Sequence, residues 1–314
     1  MNEPTPVIID TDPGIDDVVA LALAAQSPEL NIAAVVTTYG NAGLAETTQN
    51  ARHLLELVGR GDIPVHAGSD RPLERRLVTA PETHGPKGVG YAESGTATPI
   101  APDPLILLNL LRARLTPVVL VTLGPLTNLA QAILTDQQLV ETKVSGHIGM
   151  FGNLHEMGNT NRWADFNCWC DPEAAAIVLE SNLQTEMVGL DVTRKMTISA
   201  DEVTALEGSD DDVVRWLASA LRFYVEFHRS QERLDGCVVN DVLPIGELLR
   251  PGLLGFEAQL LTIDRSASEH RGHTKIDSSG LEVKVATAVD ITGMRELLDR
   301  ALGSGWIRNF GEDE

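Results

Sequence analysis

Hydrophobic runs of two different periods alternate along the chain. Short β-branched runs, "PVIID" at 6–10 and "NIAAVVTT" at 31–38, each precede a longer helical stretch, "DDVVALALAAQ" and "AETTQNARHLLELVG". The alternation returns in "PVVLVTL" with "PLTNLAQAIL", and in "DPEAAAIVLES" with "LQTEMVGLD". Continuous apolar strands separated by amphipathic helices are typical of a parallel sheet covered on both faces. The pattern therefore predicts an α/β fold with an open, mostly parallel sheet flanked by helices.

Neither a low-complexity linker nor an internal repeat interrupts this alternation, so we expect a single domain over residues 1–314. Two regions depart from it. The segment 72–100 is rich in Gly, Pro and Thr and has little periodicity, which predicts a mobile loop, because long loops in compact domains are usually functional lids. The region around 200–250 has helical periodicity throughout and predicts a helical flank beside the sheet.

The composition limits the classes of molecule that we expect this protein to bind. The net charge is −21, with 45 acidic against 24 basic residues, so a nucleic-acid backbone would be repelled. No apolar run reaches the ~20 residues that span a bilayer, and the N-terminus "MNEPTP" lacks a signal-peptide core. With three cysteines and no targeting segment, we expect a cytoplasmic protein without disulfides. Cys168 and Cys170 are spaced like neighbours on one face of a strand and are predicted to pack in the core.

The stretch "DTDPGIDD" at 10–17 gathers four aspartates, Asp10, Asp12, Asp16 and Asp17, just after the first predicted strand. Ligands of open parallel sheets bind at the carboxyl ends of the strands. One aspartate is explained by capping the following helix, which contributes ~1 kcal/mol, but four are not. Carboxylates that converge on one point are held ionised by a hard divalent cation, Ca²⁺ or Mg²⁺. The stretch therefore favours a metal site over capping alone.

The same stretch resembles DxDPGxDD, the N-terminal fingerprint of the inosine–uridine-preferring nucleoside hydrolase family. Further family motifs follow in order: "VVTTYGNA" (35–42), "THGPKG" (83–88), "LGPLTNLA" (123–130), "GMFGN" (149–153), "GNTNRWADFNCWCDPEAA" (158–175), "GLDVT" (189–193) and "NDVLPIGELL" (240–249). The resemblance covers most of the chain. It implies a Rossmann-like nucleoside hydrolase fold and calcium-dependent hydrolysis of the N-glycosidic bond of ribonucleosides, giving ribose and free base for purine or pyrimidine salvage. It also implies a homodimer or homotetramer.

The metal ligands that the resemblance implies are Asp12, Asp17, Asp241 and the backbone carbonyl oxygen of Leu123. The cation would hold a water and the ribose 2′- and 3′-hydroxyls and lower the pKa of that water. Asp12 would take the proton as general base, and Asn41 would lie near the water. Asp10 would support the ligands by hydrogen bonding.

The resemblance also implies a sugar site. The residues that would bind the ribose are Asp16, Asn159, Asp165 and Asn167, with Met150 packed against the sugar. Amides and carboxylates suit sugar hydroxyls, which both donate and accept. An anionic rim would also stabilise an oxocarbenium-like transition state. The alternative is that "NTNRWADFN" at 159–167 is a polar turn with ordinary backbone caps.

Two positions depart from the family pattern. Many members have Glu where this chain has Asp165, and many have His, the favoured proton donor to the leaving base, where this chain has Asn240. An amide donates a hydrogen bond but cannot deliver a proton. His84, His155 and Trp163 are the other candidates for assisting the leaving base. Without a strong acid we expect purine nucleosides or activated aryl ribosides to react faster than uridine and cytidine, although the base preference stays open.

Three other functions remain as alternatives. Haloacid-dehalogenase-like phosphatases also carry DxD after a first strand, but they do not share "GPLTN". The departure at Asn240 keeps open a non-catalytic, metal-dependent ribose- or nucleoside-binding homologue, and a hydrolase for a non-standard riboside. A panel of nucleosides would separate a binding protein from a hydrolase, because a binding protein gives saturable heat without releasing base.

Overall fold

The computed structural model describes residues 3–303. The strands are β1 (Thr5–Thr11), β2 (Leu30–Thr37), β3 (Val65–Ala67), β4 (Val118–Thr122), β5 (Val144–Met150), β6 (Thr185–Val188), β7 (Thr197–Ser199), β8 (Gly236–Val238), β9 (Leu254–Ile263), β10 (Thr274–Ile276) and β11 (Leu281–Val289). The helices are α1 (Ile15–Ala25), α2 (Leu44–Leu57), α3 (Pro81–His84), α4 (Ile106–Ala113), α5 (Thr127–Lys143, kinked at Asp136), α6 (Phe166–Cys170), α7 (Pro172–Leu179), α8 (Leu190–Thr193), α9 (Ala200–Glu207), α10 (Asp212–Glu232), α11 (Val242–Leu249) and α12 (Ile291–Leu302). Residues 1–2 and 304–314, which the predicted domain includes, lie outside the described residues.

The main sheet is mostly parallel. Within residues 3–303 it has nine strands in the order β10-β9-β11-β6-β5-β4-β1-β2-β3. The pairs from β11 through β6, β5, β4, β1 and β2 to β3 are parallel, whereas β9 and β10 extend the sheet in antiparallel fashion. Helices cover both faces. The predicted fold class is confirmed.

The strand order reverses at β1, which pairs with β2 on one side and with β4 on the other. Open α/β sheets bind ligands at such a point, outside the carboxyl ends of the strands. The register places Asp10 beside Thr122, and Thr122 beside Gly149. The residues that follow, Leu123 and Met150, therefore come together at this edge of the sheet.

Apolar residues fill a core on each side of the sheet. Along β1, Val7 and Ile9 contribute to one core and Ile8 to the other, as the two-residue period of a strand requires. Helix α1 lies in the first core, contacts α2, α10, α11 and α12, and has every residue buried. A helix that is enclosed on all sides belongs to the interior. Asp16 and Asp17, in its first turn, are thus carried by a deeply packed element.

Two local predictions are wrong. The 200–250 region is not helical throughout, because β8 lies between α10 and α11 and pairs with β7. Cys168 and Cys170 lie in helix α6 rather than a strand, since the Asp165 side chain accepts a hydrogen bond from the Cys168 backbone N–H and so begins a helix. Both thiols are buried, as the core-packing interpretation predicts.

The segment 72–100 contains the short helix α3 and otherwise lacks regular structure, and its mobility stays a prediction. Within residues 3–303, none of the helices combines the length and the apolar character that crossing a membrane requires.

Candidate active site

Three carboxylates meet at the carboxyl edge of the sheet. Asp16 and Asp17 come from the first turn of α1, and Asp241 directly precedes α11. One oxygen of each lies within 4.8 Å of the others, and all three side chains are buried. Two of the predicted metal ligands, Asp17 and Asp241, are therefore brought together. The third member, Asp16, is the residue that the sequence assigns to the ribose.

Asp17 is held by donors on several elements. The Thr11 hydroxyl donates to one oxygen, and the Gly14 N–H donates to the other over 3.0 Å. The Asn41 side-chain amide donates to that second oxygen over 2.8 Å. The bond from Gly14 is the helix-capping contact that the simpler interpretation expects. Asp17 therefore has more hydrogen-bond donors than the capping contact alone.

Asp12 occupies a space that glycines leave open. A Cβ atom at Gly40 or at Gly124 would overlap the Asp12 carboxylate. The Asn41 backbone N–H donates to Oδ2 of Asp12 over 2.8 Å, while Oδ1 is buried without a hydrogen-bond partner among the described residues. Such an oxygen needs a cation or a proton, because a buried polar atom without a partner is costly.

Asp10 is buried at the end of β1, and its supporting role for the metal ligands stays a prediction. Its Oδ1 accepts a hydrogen bond of 2.8 Å from the side-chain amide of Asn128 in the "GPLTN" motif. The other end of that amide accepts from the Ser69 N–H over 2.8 Å. Asn128 thus links the end of β1 to the chain after β3, and it fixes the orientation of Asp10.

The acidic residues fit a hard cation. Among the described residues, none of Asp10, Asp12, Asp16, Asp17 and Asp241 forms an ion pair with a basic side chain. Burial and the neighbouring charges raise the pKa of Asp12 and of Asp241 well above the usual value. Burial also raises the pKa of Asp17 to about 6 and that of Asp10 to about 7. Clustered oxygen donors lacking a counter-charge are suited to Ca²⁺ or Mg²⁺.

The raised pKa values predict the pH dependence of the metal-free protein. Burial raises the pKa of Asp10 from 3.8 to about 7, so the folded state binds this proton more tightly than the unfolded state. Its contribution to stability is present below pH ~4 and is lost as the pH rises through 7. Asp10→Asn keeps an acceptor for Asn128. Over this pH range we expect its free energy of unfolding to rise relative to that of wild type, by on the order of a few kcal/mol. Urea unfolding of chelator-treated proteins at several pH values measures this difference, and a difference that does not change with pH would contradict the assignment.

A cavity of about 770 Å³ adjoins the acidic residues. The predicted site residues that line it are Asp16, Asn41, His84, Leu123, Met150, Asn159, Asp165, Asn167, Asn240 and Asp241. Asp12 and Asp17 are not among the described lining residues. Both accept hydrogen bonds from Asn41, which does line the cavity. A volume of this size accommodates a small ligand.

The predicted sugar-site residues hold the local backbone. The Asn167 side-chain amide donates to the carbonyl oxygens of Leu123 and Met150 over 2.7 and 2.9 Å. Asp165 accepts from the Gly152 N–H over 2.9 Å as well as capping α6. Asn159 accepts from the Phe166 N–H over 2.8 Å. The capping bonds of the polar-turn interpretation are thus present in residues that also line the cavity. The Leu123 carbonyl keeps one lone pair for a further partner.

Asn240 bonds to Asp16. Its side-chain amide donates to Oδ2 of Asp16 over 2.9 Å, and its carbonyl oxygen accepts from the Thr193 hydroxyl over 2.9 Å. Both ends of the amide are therefore used by the protein. Asn240 orients the Asp16 carboxylate, which explains an amide at this position.

His84 is a hydrogen-bond donor rather than a strong acid. Its Nδ1 accepts from the Ile15 N–H over 3.1 Å, so the ring proton lies on Nε2. Burial lowers the pKa of His84 to about 4, which leaves the ring neutral at neutral pH. Of the other candidates for assisting the leaving base, neither His155 nor Trp163 is a described lining residue of the cavity.

The sequence interpretation misses an aromatic wall on α10. Phe223, Tyr224, Phe227 and His228 all line the cavity. The Tyr224 ring centroid lies 4.4 Å from that of His228 and 5.2 Å from that of His84. The spacing of these residues in "FYVEFH" places them on one face of a helix, which could have indicated a second function for the predicted flank.

The family model described as "Inosine-uridine preferring nucleoside hydrolase" matches residues 7–296. The chain belongs to this nucleoside hydrolase family. It is 36% identical over 283 residues to the pyrimidine-specific ribonucleoside hydrolase RihA of Photobacterium profundum, covering 87% of this chain and 88% of that protein. It is 32% identical to the RihA of Shewanella woodyi, covering 95% and 97% of the two chains. The resemblance predicted from the motifs is confirmed.

Solved nucleoside hydrolases share the fold. A plant nucleoside hydrolase, the PpNRh1 enzyme, superimposes with a TM-score of 0.87 at 31% identity, covering 96% of this chain and 99% of that one. The purine-preferring ribonucleoside hydrolase from Gardnerella vaginalis gives a TM-score of 0.87 at 26% identity, covering 95% and 98%. This nucleoside hydrolase is an enzyme that acts on N-glycosyl compounds, which removes the phosphatase alternative.

Proposed function

We propose that this nucleoside hydrolase uses Ca²⁺ to cleave pyrimidine ribonucleosides into ribose and free base. The observation that carries the proposal is one cavity lined both by buried carboxylates and by an aromatic wall. A ribonucleoside has two matching parts, a polyhydroxylated sugar and a flat base. The salvage role, the cytoplasmic location and the homodimer or homotetramer belong to the same proposal, and sedimentation of the purified protein tests the oligomeric state.

Asp12, Asp17, Asp241 and the Leu123 carbonyl would hold the calcium ion, with Asp16 beside them. When bound, the ion supplies positive charge that lowers the pKa of an attacking water and orients the ribose hydroxyls. The partnerless oxygen of Asp12 is suited to accept the proton of that water. Asn41 holds the other Asp12 oxygen and keeps the carboxylate in place.

The sugar would lie among the polar lining residues. Asp16, oriented by Asn240, accepts hydrogen bonds from ribose hydroxyls, and Asn167 and Asn159 offer further polar atoms. The Asp165 carboxylate is one methylene shorter than the family's Glu and reaches less far toward the 5′-hydroxyl. As the C1′–N bond breaks, positive charge develops on the sugar ring, and these carboxylates stabilise it.

The base leaves with the bonding electron pair, and hydrogen-bond donors that line the cavity stabilise the negative charge. Burial and the nearby Asp16 charge raise the pKa of Tyr224 well above its usual value, so its hydroxyl keeps its proton. His84 offers its Nε2–H as a second donor. These groups reduce the need for the acid that Asn240 cannot supply. The names of the RihA relatives support pyrimidines, whereas the departure at Asn240 alone favours purines.

We expect Tyr224→Phe to lower kcat/KM for uridine by about tenfold or more, because one donor to the departing base is lost. The p-nitrophenyl riboside should lose much less, since its leaving group needs little stabilisation. Wild type should cleave uridine faster than inosine. Tyr91→Phe removes an exposed hydroxyl that bonds to Glu226 and serves as the matched control. Equal losses on both substrates would remove Tyr224 from this role, and saturable binding without base release would favour the binding-protein alternative.

A further inference from the structure

A buried asparagine outside the predicted site connects two segments that border it. Asn50 lies on α2 and is fully buried. Its side-chain amide donates to the Pro13 carbonyl oxygen over 2.9 Å and to the Lys87 carbonyl oxygen over 2.8 Å. Pro13 belongs to the stretch 11–17, hereafter the metal loop. Lys87 belongs to residues 83–94, hereafter the docked segment, which begins with the "THGPKG" motif.

The docked segment is fitted to this amide. Gly88 has a φ of +87°, and a Cβ there would lie 3.1 Å from the Asn50 amide nitrogen and 3.3 Å from the Pro13 oxygen. The Ser94 hydroxyl donates to the Asn50 carbonyl oxygen over 2.6 Å. Gln49 donates to the Ser94 carbonyl oxygen over 2.6 Å. Asn50 therefore uses both ends of its amide to join the docked segment to the backbone that carries the aspartates.

The connection continues into the cavity. The Ile15 N–H of the metal loop donates to Nδ1 of His84, the second residue of the docked segment. Asn50 and His84 thus bind the turn between Asp12 and Asp16 at two points, Pro13 and Ile15. A turn held at two points has little freedom to change the spacing of its carboxylates.

We propose that Asn50 is a positioning residue for the calcium site, and that its amide makes the order of the docked segment and the geometry of the metal loop depend on each other. The inference rests on the proposed calcium dependence. Groups that orient metal ligands typically contribute 10- to 100-fold to metal affinity. A merely structural Asn50 would contribute to the free energy of unfolding, but the calcium affinity of the folded protein would not depend on it.

Hydrogen exchange on the wild-type protein tests the coupling directly. After chelation, added calcium should slow amide exchange in the metal loop and in the docked segment over the same concentration range, with residues 264–273 as the reference. Protection of the metal loop without any change in the docked segment would overturn the proposal. Absence of calcium binding by the wild type would instead refute the proposed function.

Asn50→Asp and Ser94→Ala form a matched pair of variants. Asn50→Asp keeps the shape and the acceptor for Ser94 but removes the donor to Pro13 and Lys87. We expect its calcium Kd, from titration calorimetry of chelated protein, to rise by about 10- to 100-fold, with kcat/KM recovering at saturating calcium. Ser94→Ala leaves that donor intact and should keep the wild-type calcium Kd. A folded Asn50→Asp with the wild-type Kd, or equal changes in both variants, would overturn the proposal, and if Asn50→Asp does not fold, the same Kd measurement on the uncharged Asn50→Ser, whose hydroxyl is too short to bridge Pro13 and Lys87, decides.

Discussion

Replacing Asp12 by asparagine is expected to slow the chemical step by about two or more orders of magnitude. The substitution keeps the shape of the side chain and one acceptor for the Asn41 N–H, which donates to Asp12 over 2.8 Å. It removes the buried carboxylate oxygen that has no hydrogen-bond partner within residues 3–303 and that would take the proton of the attacking water. Single-turnover release of base measures this step apart from substrate binding.

Calcium content must be measured on the same preparation, because Asp12 is also a proposed ligand and loss of the ion would give a similar rate. Asp201→Asn, which makes the same chemical change at an exposed position on α9, is the control and should keep wild-type turnover. Near-wild-type turnover in folded, calcium-loaded Asp12→Asn would show that another group is the base.

Removing the metal is expected to abolish turnover, with a loss of at least about a hundredfold. Protein purified without chelator should contain about one equivalent of calcium per chain, since the oxygen donors gather at one place. Without the cation, burial and mutual repulsion hold the pKa of Asp241 well above its usual value. The acidic residues would then take up protons and no longer offer charged ligands.

Elemental analysis of active protein, followed by chelation and stepwise return of Ca²⁺ or Mg²⁺, makes this measurement. Calcium should restore turnover at lower concentration than magnesium, because Mg²⁺ demands a small octahedral site and retains its water. The melting temperature should rise together with activity, since a ligand that binds only the folded state stabilises it. Zinc, or no metal, in active protein would refute the assignment.

The fold could be predicted from the sequence because its signals are local and repeated. Strands buried on both faces give continuous apolar runs, and β1 with Val7, Ile8 and Ile9 is an example. The errors fall where a short element is decided by a single contact. Helix α6 begins because Asp165 accepts a hydrogen bond from the backbone N–H of Cys168. The alternation of apolar residues around the two cysteines is typical of a strand and gives no sign of that bond.

The candidate site could be predicted only in part, for a different reason. The motifs predict Asp12, Asp17 and Asp241 as metal ligands but assign Asp16 to the ribose, whereas Asp16 lies beside Asp17 and Asp241. That proximity arises where α1 contacts α11, and these two helices are far apart in the chain. The sequence does not indicate Tyr224 or Asn50, because each fits an ordinary helix. Their contacts are with segments that are distant in the chain and that only the fold brings near.

The burial of α1 has a consequence for how this enzyme tolerates change. Every residue of the helix is enclosed, so its position is set by the volumes of the side chains around it. Ala20 and Ala24 lie more than a full helical turn from Asp16. An added methyl group at either position would displace α1 as a unit and shift the carboxylates at its N-terminus. Selection on these buried side chains would therefore act through binding of the proposed ion and sugar. Substitutions that change only the packing would alter catalysis before they alter the yield of folded protein.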